Sequence, residues 1–330
     1  VVTQSSISFE VIVVDDSSRD RTASIARSFD GVRVLDAGPL PAGWCGKSWA
    51  AWVGSRQALG QWLLFTDADT IHLPGSLRHA VDEAQSEGAS LLSYSPKQKV
   101  DGLLVNALML LVFADLNKHY PPSRVNLPGS PAAANGQYLL ISRQAYDAAG
   151  GHAAVSGEVL EDVALAQAVK GMGGKLAFRF GGEAVEARMY RSFAKMWAGW
   201  TKNLARLFPS PLALAPTRAL EFLTMAGGMV IAATAGLHHD EKLALFAMVA
   251  SVPVITQFGR RIRQAHFSWD ANLVAILGLP LFALLLLHSY IHYRFFRKVT
   301  WKRREYAVTL EPALGHGHSN LSPSRGWLEI

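Results

Sequence analysis

Trp62-Leu63-Leu64-Phe65-Thr66-Asp67-Ala68-Asp69-Thr70 joins a short apolar run to two acids separated by one residue. The run has the length of a buried strand rather than of a helix. Alternate side chains of a strand share a face, so Asp67 and Asp69 are predicted to point the same way at the strand's C-terminal end. In open α/β sheets that edge is where ligands bind. Two carboxylates with no His or Cys beside them suit a hard divalent cation, Mg2+ or Mn2+, which would in turn hold a diphosphate. Taken alone, the same letters also describe a solvated turn after a strand.

The residues before this stretch read as the nucleotide-binding half of an α/β sheet. Val11-Ile12-Val13-Val14 is a β-branched run ending at Asp15-Asp16-Ser17-Ser18. Asp20 is placed to cap a helix reaching about Phe29, and a second strand is predicted over residues 32–35. An acid just beyond the first strand suits ribose hydroxyls or a base N–H, with helix capping as the competing role. A loop rich in Gly and Pro, residues 38–47, runs into a helix over 48–59. Its Gly46-Lys47 pair offers backbone N–H groups and a cation to a phosphate, although the glycine spacing is not that of a Walker loop.

After the acid pair, a helix is predicted over 74–86 and a strand over 91–94. The apolar stretch 103–113 is too short to cross a bilayer and belongs either in the membrane interface or in the core. Asn135-Gly136 enters another strand, a helix over 143–149 closes at Gly150-Gly151, and His152 reads as a turn residue. An amphipathic helix over 158–171 carries Glu161-Asp162 in its first turn, where acids also suit the helix dipole. Short closing strands are predicted around Phe178 and Val185.

The second half changes character. Hydrophobic residues make up 50% of the 330 and charged residues 18%, apolar for a soluble enzyme, and the excess is concentrated in 219–293. The contrast predicts a soluble catalytic domain followed by a helical membrane domain. The net charge of +6 does not point to nucleic acid. Its Arg and Lys flank the apolar runs at 188–206, 259–263 and 294–304, where anionic head groups would sit. The single Cys45 excludes an internal disulfide and a thiolate metal cage.

A helix over 189–207 mixes Tyr190, Phe193, Trp197 and Trp200 with Arg191, Lys195, Lys202 and Arg206, the pattern of an in-plane interfacial helix. Trp197 and Trp200 are its candidate acceptor and interface residues. Apolar runs over 219–236 and 273–292 approach the ~20 residues a span needs. The run between them, 243–258, is short and holds Pro253. Basic flanks tend to be cytoplasmic, and both basic flanks can be so only with an even number of spans. Either the middle run is re-entrant, or the last folds back at Gly278-Leu279-Pro280. The tail from Pro312 reads as disordered, and Gly315-His316-Gly317-His318 is at best a weak metal signal. No signal peptide is visible. The chain has no initiator Met and is expected to lack its true N-terminus.

The order of these pieces is more specific than any one of them. Asp15-Asp16-Ser-Ser, Pro41-x-Gly43-Trp44-x-Gly46-Lys47, Thr66-Asp67-Ala68-Asp69, the strand at Gly136, Glu161-Asp162, the Trp-bearing helix and Trp301-Lys302-Arg303-Arg304-x-Tyr306 follow in series. The series resembles a membrane-bound family 2 glycosyltransferase. Within that family it is most similar to hopanoid-associated and carotenoid-type bacterial lipid glycosyltransferases, and more distantly to ceramide glucosyltransferases. The resemblance implies an α/β GT-A catalytic domain, Rossmann-like with a mostly parallel sheet and lacking its first strand, over residues 1–187. An interfacial region (188–218), transmembrane helices with a basic flank (219–306) and a disordered tail (307–330) would follow.

It also implies roles. Asp15 and Asp16 match the acids that meet base and ribose, and Asp67 and Asp69 match the D-x-D that meets metal and sugar diphosphate, with Asp69 the metal ligand. Glu161-Asp162 match the pair whose Asp is the catalytic base. Lys47 and Gly136 fall where donor contacts are expected. The interfacial helix reads Met196-Trp197-Ala198-Gly199-Trp200 where processive members carry Gln-x-x-Arg-Trp, which argues against a polysaccharide synthase.

The reaction implied is an inverting, metal-dependent transfer of a hexose from a nucleotide diphosphate, UDP-glucose, to a lipid hydroxyl. It would take place at the cytoplasmic face of the inner membrane. Two alternatives stay open: transfer to a polyprenyl phosphate, and a catalytically silent membrane protein that binds nucleotide-sugar.

Overall fold

The β-branched start of the chain forms β1 (Val11–Asp15), followed by α1 (Thr22–Arg27) and β2 (Val32–Asp36). The strands pair in parallel, Val11 opposite Val32 and Asp15 opposite Asp36, as a β-α-β crossover requires. Asp20 Oδ1 accepts the Thr22 N–H at 3.0 Å at the start of α1. The computed structural model describes residues 7–190, 192–296, 298–301 and 304–307, the last two stretches by backbone alone. The predicted tail with its Gly-His stretch lies outside the described residues.

Next come α2 (Gly46–Gln57), β3 (Trp62–Thr66), β4 (Thr70–His72), α3 (Ser76–Glu87), β5 (Leu91–Ser95) and β6 (Lys97–Gln98). They are followed by α4 (Leu103–His119), α5 (Pro122–Val125), β7 (Tyr138–Ser142), α6 (Arg143–Ala148), α7 (Gly151–Ala154), α8 (Glu161–Gly171), β8 (Leu176–Phe180) and β9 (Val185–Ala187). The main sheet has the order β3-β7-β5-β8, and a smaller one the order β4-β9-β6.

The main sheet is mixed rather than mostly parallel. β7 runs antiparallel to both β3 and β5, while β5 and β8 are parallel. An apolar run such as Tyr138-Leu139-Leu140-Ile141 carries no direction of its own, because a strand buried on both faces reads the same either way. The reversal has a structural effect: it brings the start of β7, and Gly136 before it, to the edge where β3 and β5 end. Tyr138, Leu139, Leu140, Ile141, Leu91 and Leu92 are almost fully buried there. Each large side chain so buried contributes about 1.5–3 kcal/mol to the core.

The acid pair departs from the strand reading. β3 stops at Thr66, so Asp67-Ala68-Asp69 forms the turn into β4. Alternation within a strand therefore does not orient the two carboxylates. The turn itself does: the Thr70 amide donates to the Asp67 carbonyl at 3.3 Å, and the Arg188 amide to the Asp69 carbonyl at 3.0 Å.

The apolar half holds α9 (Phe193–Leu207), α10 (Pro211–Leu237), α11 (Glu241–Arg263) and α12 (Trp269–Ile291), then a π-helical turn (His292–Phe296). The backbone ends in an antiparallel pair, β10 (Lys298–Trp301) and β11 (Arg304–Ala307). Three helices are long and apolar enough to cross a membrane, Pro211–Leu237, Glu241–Arg263 and Trp269–Phe296. The middle run is thus neither short nor re-entrant by length, and the helix continues through Pro253. The last run does not fold back at Gly278-Leu279-Pro280, for α12 continues through Pro280. The boundary expected at residue 218 falls inside α10, because Arg218 and Glu221 are buried and paired instead of ending the helix.

The stretch at 103–113 belongs to the core. It opens α4, whose Leu108, Leu110, Leu111 and Val112 are wholly buried in one cluster with residues of α9, α10, α11 and α12. Four charges close this cluster. Arg218 Nε lies 3.1 Å from Asp115 and Arg261 Nε 3.7 Å from it, and both guanidiniums also reach Glu221. Two acids and two guanidiniums make a neutral set that joins α4 to α10 and α11.

Candidate active site

The Gly- and Pro-rich loop before α2 is tied down at its far end. The Cys45 amide donates to the Ser156 carbonyl at 2.7 Å, and Cys45 Sγ to the Gly157 carbonyl at 3.5 Å. That clasp sets the N-terminus of α2 beside the N-terminus of α8. Lys47 projects into the gap, its Nζ 2.9 Å from Asp67 Oδ1 and 2.8 Å from Glu161 Oε1. One ammonium thus links three segments that are far apart in the chain.

Asp162 stands beside it. Its Oδ2 accepts the Gly136 N–H at 2.6 Å and its Oδ1 the Val163 N–H at 2.8 Å. A Cβ on Gly136 would lie 2.8 Å from Lys47 Nζ and 3.2 Å from Asp162 Oδ2, so only glycine admits this approach. The neighbouring Asn135 is held by Ser93 Oγ, which accepts its N–H at 2.8 Å.

The charges sort themselves by environment. Burial, reinforced by the Glu161 charge, pushes the Asp162 carboxyl up to about 6. Burial acts on Glu161 as well, but the Lys47 ammonium outweighs it and holds that carboxyl below its ordinary value. Burial opposes the Lys47 charge, and Glu161, Asp67 and Asp162 together override it and raise its pKa well above the usual range. One acid is therefore locked as an anion while its neighbour titrates near neutrality, a separation typical of acid–base sites. Burial and then Glu161 push the Cys45 thiol up, which leaves it protonated and unreactive.

Other predicted residues are placed as follows. Asp15 and Asp16 stand at the C-terminal end of β1, where Asp15 Oδ1 accepts the Ser18 N–H at 3.3 Å. Burial first, then the Asp69 and Asp67 charges, raise the pKa of the buried Tyr190 hydroxyl. Among the described residues no group of three or more His, Cys, Asp or Glu forms a metal cage. The turn carries two carboxylates, Asp67 and Asp69, and carboxylate oxygens are the donor type a hard cation takes. The Lys47 ammonium between Asp67 and Glu161 shows that the pocket favours positive charge.

Trp200 is buried and Trp197 half-buried, and both make contacts within the protein. Trp200 is buried with Nε1 directed at Met109 Sδ, and Trp197 Nε1 donates to His288 Nδ1 at 3.0 Å. They join α9 to α4 and α12. His152 is likewise a core residue rather than a turn residue, its Nδ1 2.9 Å from the Tyr146 hydroxyl and its ring against Phe65. Lys202, one cation among several on α9, feels the charges of the site. Burial lowers its pKa, and Glu161, Lys47, Asp162 and Cys45 all act on it. Arg206, one turn on, pairs with Glu158 at 2.7 Å just before α8.

The site thus joins an acid turn after β3 to an acid pair opening α8, with Lys47 between them. Residues 1–147 match the family model described as Glycosyl transferase family 2.

The chain is 26% identical over 325 residues to the 4,4'-diaponeurosporenoate glycosyltransferase of Staphylococcus aureus (strain USA300), covering 94% of this chain and 84% of that protein. The protein of the same name from strain MRSA252 is 30% identical over 213 residues, 62% of this chain and 55% of that one. Among solved structures, glucosyl-3-phosphoglycerate synthase from Mycobacterium tuberculosis, in complex with Mn2+, UDP and glucosyl-3-phosphoglycerate, aligns with a TM-score of 0.38 at 23% identity. That alignment covers 57% of this chain and 64% of that one. Mannosyl-3-phosphoglycerate synthase from Rubrobacter xylanophilus gives 0.34 at 19% identity, over 57% and 58%. The chain thus spans less than two thirds of either solved chain.

Proposed function

We propose that this protein transfers a hexose from a nucleotide diphosphate, UDP-glucose, to a hydroxyl of a carotenoid-type lipid at the cytoplasmic face of the membrane. The observation that carries the reading is the cluster of Lys47, Asp67, Glu161, Asp162 and Gly136 at one sheet edge, with two carboxylates tuned apart. Lys47 is suited to hold the donor diphosphate, and Asp15 and Asp16 the nucleoside. Asp67 and Asp69 are the residues suited to hold Mg2+ or Mn2+. When bound, such a cation offsets charge on the leaving diphosphate.

Asp162 takes the acceptor proton. Its carboxyl is fixed by two backbone N–H groups and titrates near the pH at which it works, as a general base should. The fixed carboxylate favours direct displacement with inversion, since attack and proton removal come from one side. The Staphylococcus aureus relatives support a carotenoid-type acceptor, and the three apolar helices support a membrane location.

Membranes containing the full chain, supplied with radiolabelled UDP-glucose and a carotenoid alcohol, test this. Label should pass into the organic-soluble fraction and be lost when the Asp67–Asp69 turn is replaced. A protein that binds the donor but yields no labelled lipid with any acceptor would overturn the enzyme reading. Transfer from another nucleotide-sugar alone would overturn only the donor.

A further inference from the structure

Resting on the membrane reading above, we infer that α12 does not cross the bilayer. It lies along the membrane surface as a lipid-facing strut, and only the α10–α11 hairpin crosses. Both ends of α12 are fastened outside the α10–α11 hairpin, the first to β8 and α4 and the last to α9. Helix α9 is itself tied to the catalytic part by the Arg206–Glu158 pair at 2.7 Å. Before its first turn, His266 stacks on Phe180 at the end of β8, with ring centroids 4.1 Å apart, and Gln264 accepts a hydrogen bond from Asn117 of α4 at 2.7 Å. At its last turn, Ser289 Oγ donates to the Thr201 carbonyl at 2.7 Å and accepts the Ala205 N–H at 2.9 Å, both on α9. The Tyr293 hydroxyl then donates to the Lys202 carbonyl. A 23-residue helix is roughly 35 Å long, yet one end meets β8 and the other meets α9, whose Arg206 pairs with Glu158 of the catalytic part.

The middle of α12 is held as closely. A Cβ at Gly278 would come 2.6 Å from the Ala107 carbonyl of α4, so the helices touch backbone to backbone. Its outer face is apolar along one stripe: Trp269, Leu273, Leu277, Leu284 and Ile291 are exposed at helical spacing. Protein on one face and hydrocarbon on the other suits a helix lying in the interface.

The hairpin is built differently. Ser251 of α11 packs so tightly on Gly228 of α10 that a Cβ there would overlap its hydroxyl, so the two helices run together. Their far tip is the polar segment His238-His239-Asp240-Glu241-Lys242, while Arg260, Arg261 and Arg263 stand at the return on the catalytic side. That charge bias places the return in the cytoplasm. Two crossings put both basic flanks on one side, the requirement that the sequence raised.

Single cysteines at His239, Gln264 and Arg294, each exposed, test the arrangement in sealed vesicles with a membrane-impermeant maleimide. The unsubstituted chain, whose Cys45 is buried, sets the background. Expected is labelling of Gln264→Cys and Arg294→Cys from the cytoplasmic side and of His239→Cys from the opposite side only. Gln264→Cys and Arg294→Cys labelled from opposite sides would make α12 a span and overturn the inference. All three labelled from one side would overturn the crossing hairpin. Lipid-product formation in the same vesicles reports on the enzyme separately, so failure of either reading is visible on its own.

Discussion

The Gly136 amide donates to Asp162 across 2.6 Å, although the two residues belong to different elements. This bond places the carboxylate and, because glycine carries no side chain, leaves room for Lys47 beside it. Gly136→Ala should therefore displace Lys47 and Asp162 together. Misplacement of about 1 Å costs roughly 10²-fold in rate, and kcat should fall by that order with the fold intact. Wild-type kcat in Gly136→Ala would show that the approach is not needed for turnover.

Asp162 should act as the base only when ionised. With its carboxyl raised to about 6, activity should fall as pH drops through that value and level off above it. Asp162→Asn should lower kcat by roughly 10²-fold or more while donor affinity stays near wild type. Glu161→Gln should act milder on kcat and mainly weaken donor binding, since it frees Lys47 from one partner. Retained turnover in Asp162→Asn would point instead to an anionic acceptor such as a phosphate, which needs no base.

Metal dependence is checked at the turn. Asp69→Ala should abolish transfer, and excess chelator should do the same to the wild type, with Mg2+ or Mn2+ restoring it. Donor binding measured by calorimetry should weaken in parallel. Full activity in chelator would remove the cation from the reaction.

Acid should also loosen the fold. Burial holds His72 and His152 neutral, their pKa values down at about 4 against 6.5 in an unfolded chain. Between those values the unfolded chain takes up protons that the folded one refuses, so the stability they contribute is complete above 6.5 and is lost as pH falls toward 4. Asp162, raised in the fold, works in the opposite sense and offsets part of this. Thermal unfolding followed by Trp fluorescence should show Tm falling over that window. His152→Gln, which keeps a partner for the Tyr146 hydroxyl, should flatten the fall.

Much of the catalytic half was legible because strands and helices there alternate with strong periodicity. The strands Val11–Asp15 and Trp62–Thr66 form where their apolar runs place them, while the acids after Thr66 fall in a turn that strand alternation does not orient. The direction of β7 was not legible, since Tyr138 to Ile141 are apolar on both faces and look alike from either end. Nor were the roles of Trp197 and Trp200. An aromatic helix reads the same whether it meets lipid or, as here, Met109 and His288. The interlocking of Lys47, Glu161 and Asp162 depends on the Cys45–Ser156 clasp, a contact between loops that no local pattern announces.

The neutral set formed by Asp115, Arg218, Glu221 and Arg261 bears on how the protein can be cut. A fragment ending before α10 would keep Asp115 and lose both of its guanidinium partners, stranding an anion against the bared apolar face of α4. Removing the partner of a buried ion costs about 3–5 kcal/mol, a large share of the 5–15 kcal/mol that holds a typical domain folded. The catalytic half is therefore not a soluble enzyme with an anchor appended. The apolar face of α4 is covered by α10, α11 and α12, and freeing the catalytic half in solution would take rewriting α4 as well as deleting them.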